Sequence, residues 1–238
     1  MYSREVNGQT LTFGVSGKLW KNALVMYDRE TGSLWSHMTG ECLRGAFEGE
    51  ILEMVASVPI VKWKVWRDAH PTTRVLSIDD REERRRDNYR DYHASARTGL
   101  FPTEHQDRRL NAKDLVLGVR MDESTRSYPL GKKRWQTKRK GAWHLVLDEL
   151  EGVPLLVYHD PENFASAVYI RRDAERVLEF LPTVEGYFAE DADGVRWNLL
   201  NGTGPEGKRM EPVPHLNVYW FAWVDFYPET ELYTRPRD

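Results

Sequence analysis

Val58-Pro59-Ile60-Val61-Lys62-Trp63-Lys64-Val65-Trp66-Arg67-Asp68-Ala69-His70-Pro71-Thr72-Thr73 finds a counterpart in His215-Leu216-Asn217-Val218-Tyr219-Trp220-Phe221-Ala222-Trp223-Val224-Asp225-Phe226-Tyr227-Pro228-Glu229-Thr230, with Trp, Trp, Asp, Pro and Thr at one offset. Two rare residues matched at fixed spacing indicate an internal duplication, and a duplication sets the fold before any motif does.

The match continues upstream. Gly32, Trp35 and Gly40 correspond to Gly194, Trp197 and Gly202; Tyr2, Arg4, Leu11 and Phe13 correspond to Tyr169, Arg171, Leu178 and Phe180. The offset falls from 167 to 162 to 157, as loop deletions produce. Leu11-Thr12-Phe13-Gly14-Val15 has strand composition. A hairpin follows, Leu24-Val25-Met26-Tyr27 and Ser33-Leu34-Trp35 around the turn Asp28-Arg29-Glu30-Thr31-Gly32. The second copy repeats it with Gly186-Tyr187-Phe188-Ala189, the turn Asp191-Ala192-Asp193-Gly194, and Val195-Arg196-Trp197.

Next comes a helix. Ser57 reads as its N-cap in the first copy, with Pro59 in the first turn; His215 opens it in the second. Ile60, Trp63 and Trp66 give one apolar face, Leu216, Tyr219, Trp220, Trp223 and Tyr227 the other. That stripe predicts core positions for all four tryptophans, an aromatic binding wall being the other reading. Pro71 and Pro228 end the helices, and short strands Arg74-Val75-Leu76 and Glu231-Leu232-Tyr233 follow.

Ahead of the second copy stand three more strand-like runs: Leu115-Val116-Leu117-Gly118-Val119, Ser127-Tyr128-Pro129-Leu130 and Pro154-Leu155-Leu156-Val157-Tyr158. Met1 aligns with Val168, so the first copy has no counterpart to them. The expectation is a β-rich α+β protein of two related repeats of antiparallel strands, each followed by a Trp-rich helix, the first repeat truncated at its start. Residues 1–78 form the incomplete repeat, 79–113 a charged connector and 114–238 the complete repeat. An open sheet edge invites association, so the incomplete sheet is expected to be covered by the second repeat or by a partner chain in a homo-oligomer.

Composition narrows the class of function. With 238 residues the chain is long enough to bury a core without staples. Cys42 is its only cysteine, which excludes an intrachain disulfide and a Cys-rich zinc site. No apolar run approaches the roughly 20 residues of a membrane helix, and the first residues lack a leader's apolar core. A net charge of −3 argues against a general nucleic-acid binder. The chain reads as cytoplasmic as it stands, and as exported if its true start lies upstream.

The first copy's strand, hairpin and Thr39-Gly40-Glu41, with Val116-Leu117-Gly118-Val119, Tyr128-Pro129-Leu130 and Pro214-His215-Leu216-Asn217 leading into Trp220-Phe221-Ala222-Trp223, resemble the prokaryotic domain of unknown function 3179 family. The resemblance covers nearly the whole chain. It implies a duplicated domain with no established activity, export in many members, and a Cys-Pro-x-Cys-Gly motif just before the region where this chain starts. His159-Asp160-Pro161-Glu162-Asn163 stand at the equivalent place in the second copy, without a cysteine.

Few residues are candidates for chemistry. His37, Glu41 and Cys42 supply an imidazole, a carboxylate and a thiol around one turn, a donor set for zinc or copper; a turn holding a buried thiol fits equally. His159 and Asp160 follow an apolar strand. His215, at a helix N-terminus, is held neutral by the dipole and is able to bind a metal or to cap backbone. Lys132, Lys133, Arg134, Lys138, Arg139 and Lys140 surround Trp135, a set that suits phosphates and a stacked base or a solvated loop. The leading expectation is a non-enzymatic binding or assembly module; the alternative is a metal-dependent enzyme with a transition metal at a His/Asp site in the second repeat.

Overall fold

The computed structural model describes residues 1–57, 60–76, 89–130 and 144–234. A small hairpin, β1 (Glu5–Val6) with β2 (Gln9–Thr10), leads into an antiparallel sheet in sequence order, β3 (Phe13–Trp20), β4 (Ala23–Asp28), β5 (Leu34–Ser36) and β6 (Cys42–Arg44). Lys21 and Asn22 join β3 to β4 with φ of 48° and 61°, the paired positive values of a type I′ turn, whose twist suits a two-residue hairpin. Two short helices follow, α1 (Trp63–Ala69) and α2 (Arg90–Ala94).

The remaining elements are β7 (Leu115–Met121), β8 (Ser124–Pro129), β9 (His144–Leu150), β10 (Val153–Asp160), β11 (Ala165–Ile170), β12 (Arg172–Asp173), β13 (Arg176–Val177), β14 (Phe180–Glu185), β15 (Phe188–Asp191), β16 (Arg196–Asn198), β17 (Glu211–Pro212), β18 (His215–Tyr219), α3 (Trp220–Phe226) and β19 (Glu231–Leu232). They build three layers of strands. The middle sheet runs β17-β11-β10-β9. Leu156, Tyr158 and Tyr169 on one of its faces meet Phe180 and Trp197 of the sheet β14-β15-β16. Leu155, Val157 and Val168 on the other meet Leu117 and Val119 of the sheet β18-β7-β8-β19, in which β19 runs parallel to β8. A strand covered on both faces has no polar side to alternate, hence the unbroken apolar run at 154–158.

The turn after β4 is organised by a buried carboxylate. Asp28 accepts the Thr31 amide at 2.6 Å and hydroxyl at 2.8 Å on Oδ1, and the Trp35 indole N–H at 2.9 Å on Oδ2. Burial alone would raise its pKa; the bonds from Trp35 and Thr31 outweigh burial and hold it below the usual value. The same bonding recurs after β15, where Asp191 accepts the Asp193 and Val195 amides at 3.0 and 2.9 Å and the Trp197 indole at 3.1 Å. Gly40 (φ 76°) and Gly202 (φ 71°) also occupy like places: a Cβ would lie 2.8 Å from the Tyr2 ring at one and 2.6 Å from the Tyr169 ring at the other.

Several expectations are corrected. His215 opens strand β18 and not a helix, because residues 215–219 pair with β7 from Val119 back to Leu115. Helix α1 begins at Trp63 with Lys62 as N-cap, five residues beyond the expected N-cap Ser57, and Val58 and Pro59 lie outside the described residues. Residues 74–76 form no strand, for no described strand lies beside them as β8 lies beside β19.

The tryptophan expectation holds for one helix only. Trp220 and Trp223 are fully buried, and α3 lies so close on β7 that a Cβ at Gly118 would run into the Trp223 ring. None of the residues of α1 is buried, and Trp63 is 49% exposed. Trp66 rests half-buried on His70, ring centroids 4.3 Å apart. The described residues place no sheet against α1 comparable to that under α3.

Trp35→Phe removes the indole donor and leaves one Asp28 oxygen buried without a partner. The expected loss in urea unfolding is about 1.5–3 kcal/mol, with a similar loss for Trp197→Phe; an unchanged midpoint in both would show that the carboxylate organises neither turn.

Candidate functional site

Alternation along β18 sorts its side chains. Leu216 and Val218 pack with the α3 tryptophans; His215 and Asn217 point the other way, toward the middle sheet, where Asn217 Nδ2 donates to Ser166 Oγ at 2.7 Å. Ser166 is paired across the strands with His159. His159, Ser166, Asn217 and His215 thus make one polar seam between the two sheets.

The seam reaches the first half of the chain through Ser57. Its Oγ accepts the His215 amide at 2.6 Å, donates to the His215 carbonyl and lies 3.0 Å from His215 Nδ1. Nδ1 is also 3.0 Å from the Val213 carbonyl, an acceptor only, which assigns the ring proton to Nδ1 and leaves Nε2 a bare acceptor. Nε2, like Asn217 Oδ1, is buried without a hydrogen-bond partner. A serine hydroxyl spent on backbone groups is a clamp and not an activated nucleophile, since no base is free to take its proton.

Burial drives the chemistry of both histidines. It pushes the His159 pKa down to about 4, against the smaller opposing effect of the Leu130 and Ala165 carbonyls at 3.1 and 3.2 Å, and it lowers His215 as well. The expected neutrality of His215 therefore comes from desolvation between two sheets and not from a helix dipole.

The other candidates lie apart. Asp160, on the opposite face of β10 from His159, accepts the amides of Glu162 and Asn163 at 2.8 and 3.2 Å and closes the turn into β11. His37 Nδ1 lies 3.0 Å from the Leu24 carbonyl. Glu41 pairs through its backbone with Ile51. Cys42 is buried, and burial pushes its thiol up. Among the described residues no three His, Cys, Asp or Glu side chains lie close enough together to hold a metal ion, so the expected set of His215, His159 and Asp160 is not assembled, with or without His37, Glu41 and Cys42. The basic segment 132–140 and the charged run 79–88 lie outside the described residues.

Ser166 was not marked by sequence and Ser57 only as a helix N-cap, because an isolated serine carries no periodicity and each matters here only through a strand brought opposite it. No helix among the described residues is long and apolar enough to cross a membrane. The model of a family described as "Protein of unknown function (DUF3179)" matches residues 1–230. No curated protein matches the chain, and no solved structure does.

The lowered histidine pKa fixes the sign of a pH effect. Below the unfolded value near 6.5 the unfolded chain takes up a proton that the folded His159 refuses, so stability is complete above about pH 6.5 and falls until about pH 4. The shift corresponds to about 3 kcal/mol, to which His215 adds in the same direction. Urea midpoints measured across this window are expected to fall with pH, less steeply in His159→Gln; a flat profile in the unmutated protein would contradict the buried, neutral state.

Proposed function

The chain belongs to the DUF3179 family, whose description assigns no activity, and we propose that it is a non-enzymatic binding and assembly module built from two copies of one unit. The first copy extends to residue 78, the second begins at 114, and 79–113 connect them. Several recurrent geometries support this reading. Hairpins β1-β2 and β12-β13 take up equivalent positions, each closed by a 2.8 Å bond, from the Leu11 amide to Arg4 and from the Leu178 amide to Arg171. The N-caps of α1 and α3 have φ/ψ of −61°/137° and −71°/145°, the C-caps −133°/70° and −130°/72°. In each, the second tryptophan donates its indole N–H to a threonine seven residues on, Trp66 to Thr73 at 2.9 Å and Trp223 to Thr230 at 2.8 Å.

One observation carries the assembly reading: two helices of the same length and caps differ in cover. A seven-residue helix is not stable alone in water and owes its persistence to packing. Helix α3 has that packing. Trp63 in α1 and Ile60 just before it are exposed, and Val15 and Leu19 lie exposed on the edge strand β3. Among the described residues the second copy meets the end of β3, where Trp20 lies edge-on to Phe226 at 5.1 Å and Lys21 Nζ reaches the Asp225 carbonyl at 2.8 Å. The remaining apolar surface is the contact between chains of a homo-oligomer.

Sedimentation equilibrium is expected to show association, and Ile60→Ser with Trp63→Ser to shift the protein toward the monomer and to remove the concentration dependence of its melting temperature. A monomer whose α1 amides are nevertheless protected from hydrogen exchange would overturn the reading, because the helix would then need no cover.

A further inference from the structure

A cleft of about 500 Å³ opens between the two halves of the chain, within the range of small-molecule sites. The first half contributes Tyr2, Leu52 and Met54, and the second Arg120, Trp223 and Tyr227. Each polar group is placed by the fold. The Tyr2 ring lies against Gly40, and its hydroxyl donates to the Met38 carbonyl at 2.8 Å. Arg120, near the end of β7, stands beside the Tyr227 hydroxyl. Its only other polar contact among the described residues is a long one, 3.4 Å from Nε to the Asp122 carbonyl, and no described carboxylate pairs with its guanidinium.

We propose that this cleft binds a small aromatic carboxylate. A guanidinium with no carboxylate partner among the described residues, at a cleft lined by the half-buried Tyr2 and Tyr227 rings, favours a planar anion, which it meets with two parallel N–H bonds while the ring lies against those phenols. The charge must be single. Glu53 and Asp122 also line the cleft, so with Arg120 its lining is net negative by one charge and repels a dianion more strongly than a monoanion, which direct contact with Arg120 must hold. Burial pushes Tyr2 and Tyr227 above the usual tyrosine value, so both phenols stay neutral and the site carries no further anion of its own. Because the two walls belong to different halves, an occupant bridges them.

Calorimetric titration with 2-naphthoate and its neutral isostere 2-naphthamide tests the assignment. The naphthoate is expected to bind at least about tenfold more tightly than the amide, a difference that disappears in Arg120→Met and persists in Trp63→Ser, a residue that does not line the cleft. Arg120 is exposed, so its replacement leaves the melting temperature in place. Equal affinity for the two probes, discrimination that survives Arg120→Met, or no binding of the naphthoate would each overturn the proposal.

Discussion

A carboxylate buried beside an indole is the constraint from which each half of this protein is built. Asp28 and Asp191 are almost fully removed from water, and an ion in that position is costly unless its oxygens are filled. Filling them requires the backbone to turn so that amides face one oxygen, and requires a tryptophan on the next strand to face the other. Turn shape, strand register and the position of Trp35 or Trp197 in the core therefore follow from one requirement. Phe13 and Phe180 then pack on those indoles, with centroids 5.7 and 6.5 Å away.

Around these units the two halves differ in what surrounds them. The second half has a middle sheet with apolar residues on both faces and an outer sheet that takes α3. The first half has neither among the described residues, and no residue of its helix is fully buried, although its caps are unchanged. The contrast separates local from tertiary causes: caps, turn and Trp–Thr bond form in both settings, whereas burial depends on the sheet alone. Between the layers, the polar seam from His159 to Ser57 couples the segment leading to α1 to the first residue of β18.

Much of this was legible beforehand. The hairpin around Asp28, its partner around Asp191, the strands at 115–119 and 154–158 and the terminal prolines are visible because turn residues and apolar runs act through near neighbours. The helix at His215 was misread because Leu216, Tyr219, Trp220 and Trp223 satisfy a helical spacing, although the first two lie in a strand. Alternation and helical spacing overlap over so few residues, and pairing with β7 decided between them. For the candidate site, His159 and His215 were legible as unusual residues, but their companions Ser57, Ser166 and Asn217 come from three distant segments, and Arg120 and Tyr2 line one cleft only after both halves have met.

The sequence by itself therefore determined the β-rich class, the matching turns and helix ends, and the family, because each depends on residue types at short fixed spacing. Tertiary structure alone decided which tryptophans are buried, which way His215 points, and which polar groups share a cavity. The physical reason lies in the range of the forces. Capping, turn formation and hydrogen bonding to a nearby indole act within about ten residues, whereas burial and desolvation depend on surfaces that the chain brings together from more than a hundred residues apart, as Ser57 and His215 show.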